Sequence, residues 1–293
     1  MSPITENYKL SRPFCKHIFN RKRSLNLAQK KTALFSRIAT LKSVLVAFSG
    51  GVDSTLLLKV SEEVLKDRVV AVTATSALQP AHEQKTAVEL ARAMGVRHVV
   101  IHARALTDDA FLENGRDRCY RCKRFLFEDL LSLADEWGLA CVAHGANTDD
   151  LKDYRPGFRA ADEMGIVAPL LDAGLGKQEI RELSRQLNLS TWNKPAMACL
   201  ASRIPYGTRL TGKRLEMVDA AEELLHGQGF RSCRVRYHDT IARIEVSETD
   251  MARFQDGVLR RSLVEKMRKI GFSHITVDLA GYVQGSMNMD MDG

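Results

Sequence analysis

Two groups of residues in this chain could do chemistry by their types and spacing. The first is Ser49-Gly50-Gly51-Val52-Asp53-Ser54, with Thr55 directly after it. Adjacent glycines take backbone conformations closed to other residues and let the main chain approach an anion closely. The Ser49, Ser54 and Thr55 hydroxyls add donors. A helix beginning here would aim its unpaired N–H groups and positive dipole end at the same anion. The pattern is a phosphate cradle, distinct from the lysine-bearing P-loop, because GxxxxGK[ST] is absent and the stretch holds no lysine. Such a cradle can grip a pyrophosphate unit and leave the α-phosphate open to attack.

The second group is three cysteines: Cys119 and Cys122 in DRCYRCK, and Cys199 in WNKPAMACLASRIPYG. A Cys-x-x-Cys pair is a redox couple, a metal clamp or two unrelated residues. A helix starting at the pair, together with Arg118, Arg121 and Lys123, should push both thiols toward thiolate. Three thiolates suit an iron–sulfur cluster with one open iron, whereas structural zinc would need a fourth ligand such as His144. Cys141 and Cys233 read as inert residues in strands, and Cys15 lies near the N-terminus. Asp149, Asp150 and Asp153 follow an apolar run, and they read equally as Mg²⁺ or substrate groups and as a turn with a helix cap.

The elements that must position these residues follow from periodicity. Residues 44–48 are an apolar strand leading into the cradle, and residues 24–42 before it are an amphipathic helix. Helical patterns after residue 54, over 80–94, 125–137 and 177–187, alternate with strand patterns over 69–74, 96–102, 139–144 and 167–171. Alternation of this kind predicts an α/β fold with a doubly wound parallel sheet and ligands at the carboxyl ends of its strands. The stretch 192–207, with two prolines and no period, is a long loop of the kind that is usually functional. Beyond Thr211 the pattern changes to helix (213–226), hairpin (233–237 with 241–246), helix (258–270) and strand (274–279), a second, smaller α+β domain. The expected organisation is a basic disordered extension (1–24), a large domain (25–210), the small domain (211–285) and a disordered tail (286–293).

Composition narrows the class. With 45% hydrophobic and 27% charged residues the chain is globular, and no apolar run approaches the ~20 residues of a membrane span. The net charge of +7 is concentrated in residues 1–43, which carry a net +9 and leave the rest at −2. The body's bulk charge therefore gives no support for a large nucleic-acid footprint. Six cysteines in 293 residues do not make a disulfide scaffold, so a reducing cytoplasm is the default.

SGGVDS after a strand resembles the PP-loop ATP pyrophosphatase superfamily, whose members activate a carbonyl or carboxyl oxygen as its adenylate. DRCYRCK, the GANTDD to DYRPG stretch, WNKPAMACLASRIPYG and RVRYHDTIARIEV are more closely similar to the LarE family, over residues 25–283. That resemblance implies ATP and Mg²⁺ as cofactors and adenylylation of a carboxylate of pyridinium-3,5-biscarboxylic acid mononucleotide. Sulfur then displaces AMP, in biosynthesis of the nickel-pincer nucleotide cofactor of lactate racemase. It places Ser49, Gly50, Gly51, Asp53, Ser54 and Thr55 around the nucleotide, Asp53 in the Mg-ATP step, and Cys199 at the sulfur.

Family members with only the cysteine matching Cys199 sacrifice its sulfur, and members with three hold a [4Fe-4S] cluster. Having Cys119, Cys122 and Cys199, this chain is expected to be of the cluster type. Arg203 is expected to contact adenylate or substrate phosphate, and Trp192 and Lys194 to order the loop. Arg234 and Arg236, spaced by two and so on one face of a strand, resemble with Glu245 an anion site at subunit interfaces, which implies a homo-oligomer. The expected partners are a small-molecule nucleotide and a sulfide donor, with no nucleic acid or membrane. The rival readings are a PP-loop tRNA thiolase, which should bring an RNA-binding module, and an ammonia-using amide former of the NAD or GMP synthetase kind, which has no use for three cysteines. A nucleotide-binding protein without turnover is the non-enzymatic alternative.

Overall fold

The computed structural model describes residues 25–152, 156–195 and 198–283. The basic extension with Cys15, Asp153 and the tail beyond residue 285 lie outside these residues. Helix α1 (Leu27–Ala39) begins with a capping box, in which Asn26 and Gln29 exchange side-chain-to-backbone bonds, and it buries Leu34 and Ile38. It leads into β1 (Val44–Ala47), which is followed by α2 (Val52–Leu65), β2 (Val69–Thr75), α3 (Ala81–Ala93) and β3 (Arg97–His102). Then come α4 (Asp109–Leu112), α5 (Arg118–Glu136), the short β4 (Val142–Ala143), α6 (Pro156–Glu163), α7 (Pro169–Asp172) and α8 (Lys177–Gln186).

The four strands form one parallel sheet in the order β3-β2-β1-β4. Alternation along the strands feeds two cores. Val44, Val46, Val69 and Ala71 pack with α1, α2 and α8 on one face, and Leu45, Val70 and Val72 pack with Phe127, Leu130 and Ala160 on the other. A strand apolar on both faces is what a sheet covered by helices on both sides requires.

The expected strand over 167–171 is overturned. Val167 makes only an isolated bridge to Ala143, and Pro169 then opens a helix. Proline has no N–H to give a ladder, and its fixed φ suits the first helical position.

The C-terminal part contains α9 (Gly212–Gly227), β5 (Cys233–His238), β6 (Ile241–Val246), α10 (Glu248–Met251), α11 (Gly257–Ile270) and β7 (His274–Val277). β5 and β6 are antiparallel, and β7 returns parallel to β6 after α11. The core beneath this sheet also takes Leu78, Phe111, Leu200, Ile204 and Leu210, so the elements around the long loop are packed directly against it.

Candidate active site

The sheet delivers the cradle at the carboxyl end of β1. Gly50 has φ +69°, and a Cβ there would lie 3.0 Å from the Ala87 Cα of α3, so glycine is required both by conformation and by space. Gly51 is the N-cap of α2 and accepts from the Thr55 N–H at 2.9 Å. Ser54 Oγ accepts from the Ser49 N–H at 3.3 Å and lies 3.1 Å from Ser49 Oγ, which folds the loop over the helix start. Gly145, just past β4, is pressed on the same turn, since a Cβ there would meet the Ser54 nitrogen at 3.0 Å. The result is a strand end and a helix N-terminus held close enough to surround an anion.

Charged side chains converge on the cradle from elements that spacing did not single out. Lys177, the first residue of α8, stands 2.5 Å from Asp53 Oδ2, while Asp53 Oδ1 is buried with no hydrogen-bond partner. Burial holds the Asp53 carboxyl above its ordinary range, against the opposing pull of Lys177. Lys194 donates to the Gly50 carbonyl at 3.1 Å and pairs with Glu83 of α3 at 2.5 Å. Arg181 of α8 donates to the Trp192 and Lys194 carbonyls at 2.9 and 2.7 Å. Sequence reasoning missed Lys177, Arg181 and Glu83, because no motif marks them and only the fold brings α8 and α3 to the loop. Asp149 accepts from the Lys177 N–H at 2.6 Å and Asp150 from the Asn147 N–H at 3.0 Å, so both shape the turn and the start of α8.

Cys119 lies in the first turn of α5, with Cys122 one turn on and half-buried. Cys199 caps the short 3₁₀ turn Leu200–Arg203. Although far apart in sequence, the thiols lie within electrostatic reach of one another, Cys122 of both Cys119 and Cys199, and Cys199 of Cys119. The expected shift toward thiolate is overturned for Cys122, which burial pushes up to about 11, with Cys199 and Cys119 adding to the rise and Lys123 opposing it. Arg121, expected to favour the thiolates, is instead engaged by Asp117 at 2.7 Å and Asp108 at 3.4 Å. Cys199 is exposed as a residue, yet protein crowds its inner side and desolvation raises its thiol as well.

His144 sits edge-on to Phe127 and Phe158, and burial, with Lys123 nearby, lowers it to about 4. Among the described residues no group of three or more His, Cys, Asp or Glu side chains stands close enough together to hold a metal ion.

Arg203 is placed differently from the sequence expectation. It is fully buried and forked onto Glu222 of α9 at 2.9 and 3.0 Å, and its Nη1 donates to the Ala198 and Cys199 carbonyls at 2.8 and 3.3 Å. A guanidinium turned inward in this way shapes the backbone of the Cys199 turn. Arg236 is forked onto Glu245 at 2.9 and 2.7 Å and donates to the Ser202 carbonyl at 3.0 Å. Arg234 donates to the Cys233 carbonyl at 2.7 Å and lies 5.1 Å from the Tyr282 ring centroid. Burial lowers the Arg234 pKa, with Arg203 the next cause. Arg203 and Arg236 thus each bring a buried ion pair against the backbone of residues 198–202.

A parallel sheet whose first strand ends in this glycine cradle defines an α/β nucleotide-binding enzyme of the PP-loop class, and residues 31–117 match the NAD synthase family. A narrower relationship covers nearly the whole chain. The pyridinium-3,5-bisthiocarboxylic acid mononucleotide synthase of Lactiplantibacillus plantarum is 40% identical over 266 residues, 89% of this chain and 95% of that protein. The chain belongs to that family, the LarE family. An uncharacterized protein of Synechocystis is 39% identical over 85% of this chain and 92% of its own length. Argininosuccinate synthase of Halobacterium salinarum is 33% identical over 46% of this chain and 37% of its own length.

Proposed function

We propose that this protein is an ATP-dependent sulfur transferase that converts carboxylates of pyridinium-3,5-biscarboxylic acid mononucleotide to thiocarboxylates, in the cytoplasm and as a homo-oligomer. In the first step a substrate carboxylate oxygen attacks the α-phosphorus of ATP, the bond to the bridging oxygen breaks, and pyrophosphate leaves. In the second, sulfide from a donor adds to the acyl-adenylate carbonyl and AMP departs with the oxygen. Two such rounds give the bisthiocarboxylate. The match over residues 31–117 covers less than a third of the chain, around the phosphate cradle, and does not favour ammonia over sulfide as the second nucleophile.

Ser49, Gly50, Gly51, Ser54 and Thr55 would hold the β- and γ-phosphates through backbone N–H groups and hydroxyls. The buried, unpartnered Asp53 Oδ1 fits a Mg²⁺ ligand, and Lys177 on the other oxygen is placed to turn to the polyphosphate as the cation takes over. Three thiols of this kind, Cys119, Cys122 and Cys199, are the donor chemistry a [4Fe-4S] cluster takes, and they would be its ligands once drawn together around it. When bound, such a cluster would present sulfur without consuming a cysteine. Arg234 would serve the substrate's own phosphate, while Arg203 and Arg236, held by Glu222 and Glu245, would brace the turn that carries Cys199.

The observation that best supports this reading is Lys194: it belongs to the same segment as Cys199 and bonds the Gly50 carbonyl, which ties the sulfur-bearing loop to the phosphate cradle. The test is Cys199→Ala, assayed for AMP and pyrophosphate formation and for thiocarboxylate. Adenylylation should continue while sulfur transfer is abolished. Persistence of transfer would remove Cys199 from the reaction.

A further inference from the structure

The segment just past the turn that follows Cys199 and the helix that carries Cys119 and Cys122 are joined by one buried side-chain unit. Asn114, fully buried with φ +58°, lies between α4 and α5. Its amide nitrogen donates to the carbonyls of Ile204, Pro205 and Thr208 at 3.3, 2.7 and 3.1 Å. Its amide oxygen accepts from Arg118 Nη1. Arg118, the first residue of α5 and 6% exposed, lays its guanidinium over the Tyr206 ring at 4.4 Å. Two backbone bonds, Gly207 N–H to Asn114 O at 3.1 Å and Leu210 N–H to Leu112 O at 2.7 Å, run beside it. The residue immediately before Cys119 and the segment 204–208, just past the Leu200–Arg203 turn that Cys199 caps, therefore share one anchor.

We propose that Asn114, Arg118 and Tyr206 form a positioning clamp that sets the separation between Cys199 and the Cys119–Cys122 pair. Its purpose rests on the sulfur-transfer reading, but the geometry belongs to the chain alone. Asparagine suits the position because it tolerates a left-handed backbone and offers a donor end to the three carbonyls and an acceptor end to arginine. Aspartate would turn an acceptor toward those carbonyls. Lysine at 118 would keep the charge but lose the planar stacking and the directed bond.

The experiment uses the full-length, reduced, metal-free protein treated with dibromobimane, whose two arms join neighbouring thiols, with cross-linked peptides quantified by mass spectrometry. In the unmodified chain Cys199 should be linked to Cys119 or Cys122. Asn114→Asp and Arg118→Lys should each lower that yield fivefold or more, while the Cys119–Cys122 link within α5, which competes for the same thiols, is retained or rises and reports an intact helix. Iron bound on anaerobic reconstitution should fall in parallel. If Asn114→Asp does not fold, Tyr206→Leu leaves the asparagine bonds in place and should lower the yield at least twofold. A yield unchanged in the folded variants, or no Cys199 link in the unmodified chain, overturns the clamp. Sulfur transfer that proceeds despite such a result would sink the clamp alone. Cross-links that behave as expected in a protein unable to transfer sulfur would sink the functional reading and leave the clamp standing.

Discussion

Gly50→Ala isolates the cost of the cradle's backbone. An alanine held at φ +69° bears about 1–2 kcal/mol of left-handed strain. Its Cβ would also lie 3.0 Å from the Ala87 Cα and 3.1 Å from the Ala87 Cβ, and a helix backbone cannot yield as a flexible side chain can. Overpacking of this kind costs about 1–3 kcal/mol, giving a total of roughly 2–5 kcal/mol. That is a large share of the stability of a typical domain, about 5–15 kcal/mol. Adding Ala87→Gly removes only the clash with the Ala87 methyl. It leaves the approach to the α3 backbone and the strain, and it introduces a helix-interior glycine at about 1 kcal/mol. The double variant should therefore recover less than half of the loss. Urea unfolding followed by circular dichroism measures the stability, and calorimetric titration with Mg-ATP measures the site, whose donors shift if the loop moves. A loss below about 0.5 kcal/mol, within the range of an ordinary surface substitution, would refute the close-approach argument.

Two further outcomes follow from buried titratable groups. Because burial raises the Asp53 carboxyl above its ordinary value of 3.8, its contribution to stability is full below that value and is lost as pH rises through the folded value. At pH 7 Asp53→Asn should thus leave urea stability equal or higher while weakening Mg-ATP binding by about tenfold or more, the loss of one charged contact. Lower stability with unchanged binding would contradict both halves. For His144, lowered from 6.5 to about 4, the unfolded chain takes up the proton first, so stability present above pH 6.5 declines as pH falls toward 4, by at most about 3 kcal/mol. His144→Gln should flatten that decline in urea midpoints measured across the interval, and parallel curves for the two proteins would rule the histidine out as its cause.

The parts of this molecule that were legible in sequence are those fixed by local pattern. The apolar runs at 44–47 and 69–72 required cover on both faces, and Gly50-Gly51 ahead of a periodic segment required a turn into a helix. Pro169 was present to be read against a strand over 167–171, but its apolar neighbours outweighed it. The approach of Cys199 to α5 is fixed by Asn114 and by packing of Leu200 and Ile204 in the C-terminal core, interactions with no local signature. The inward placement of Arg203 was not legible for a related reason. An arginine in a glycine- and proline-containing loop suggests a ligand, and only the position of Glu222 on α9 reveals a buried partner.

That partnership also explains why the small C-terminal sheet belongs to the site. A 3₁₀ turn of four residues has too few internal bonds to hold its own shape against solvent. Here its carbonyls are fixed from below: Ala198 and Cys199 by Arg203, and Ser202 by Arg236. Each arginine is in turn fixed by a buried glutamate, Glu222 from α9 and Glu245 from β6. Two apolar pairs of similar volume would be equal or better for stability, since desolvating charges offsets most of their attraction. They could not hold carbonyl oxygens at chosen points. The buried ion pairs are therefore accounted for by placement of the Cys199 backbone rather than by stability, and the second sheet is the scaffold that makes such placement possible.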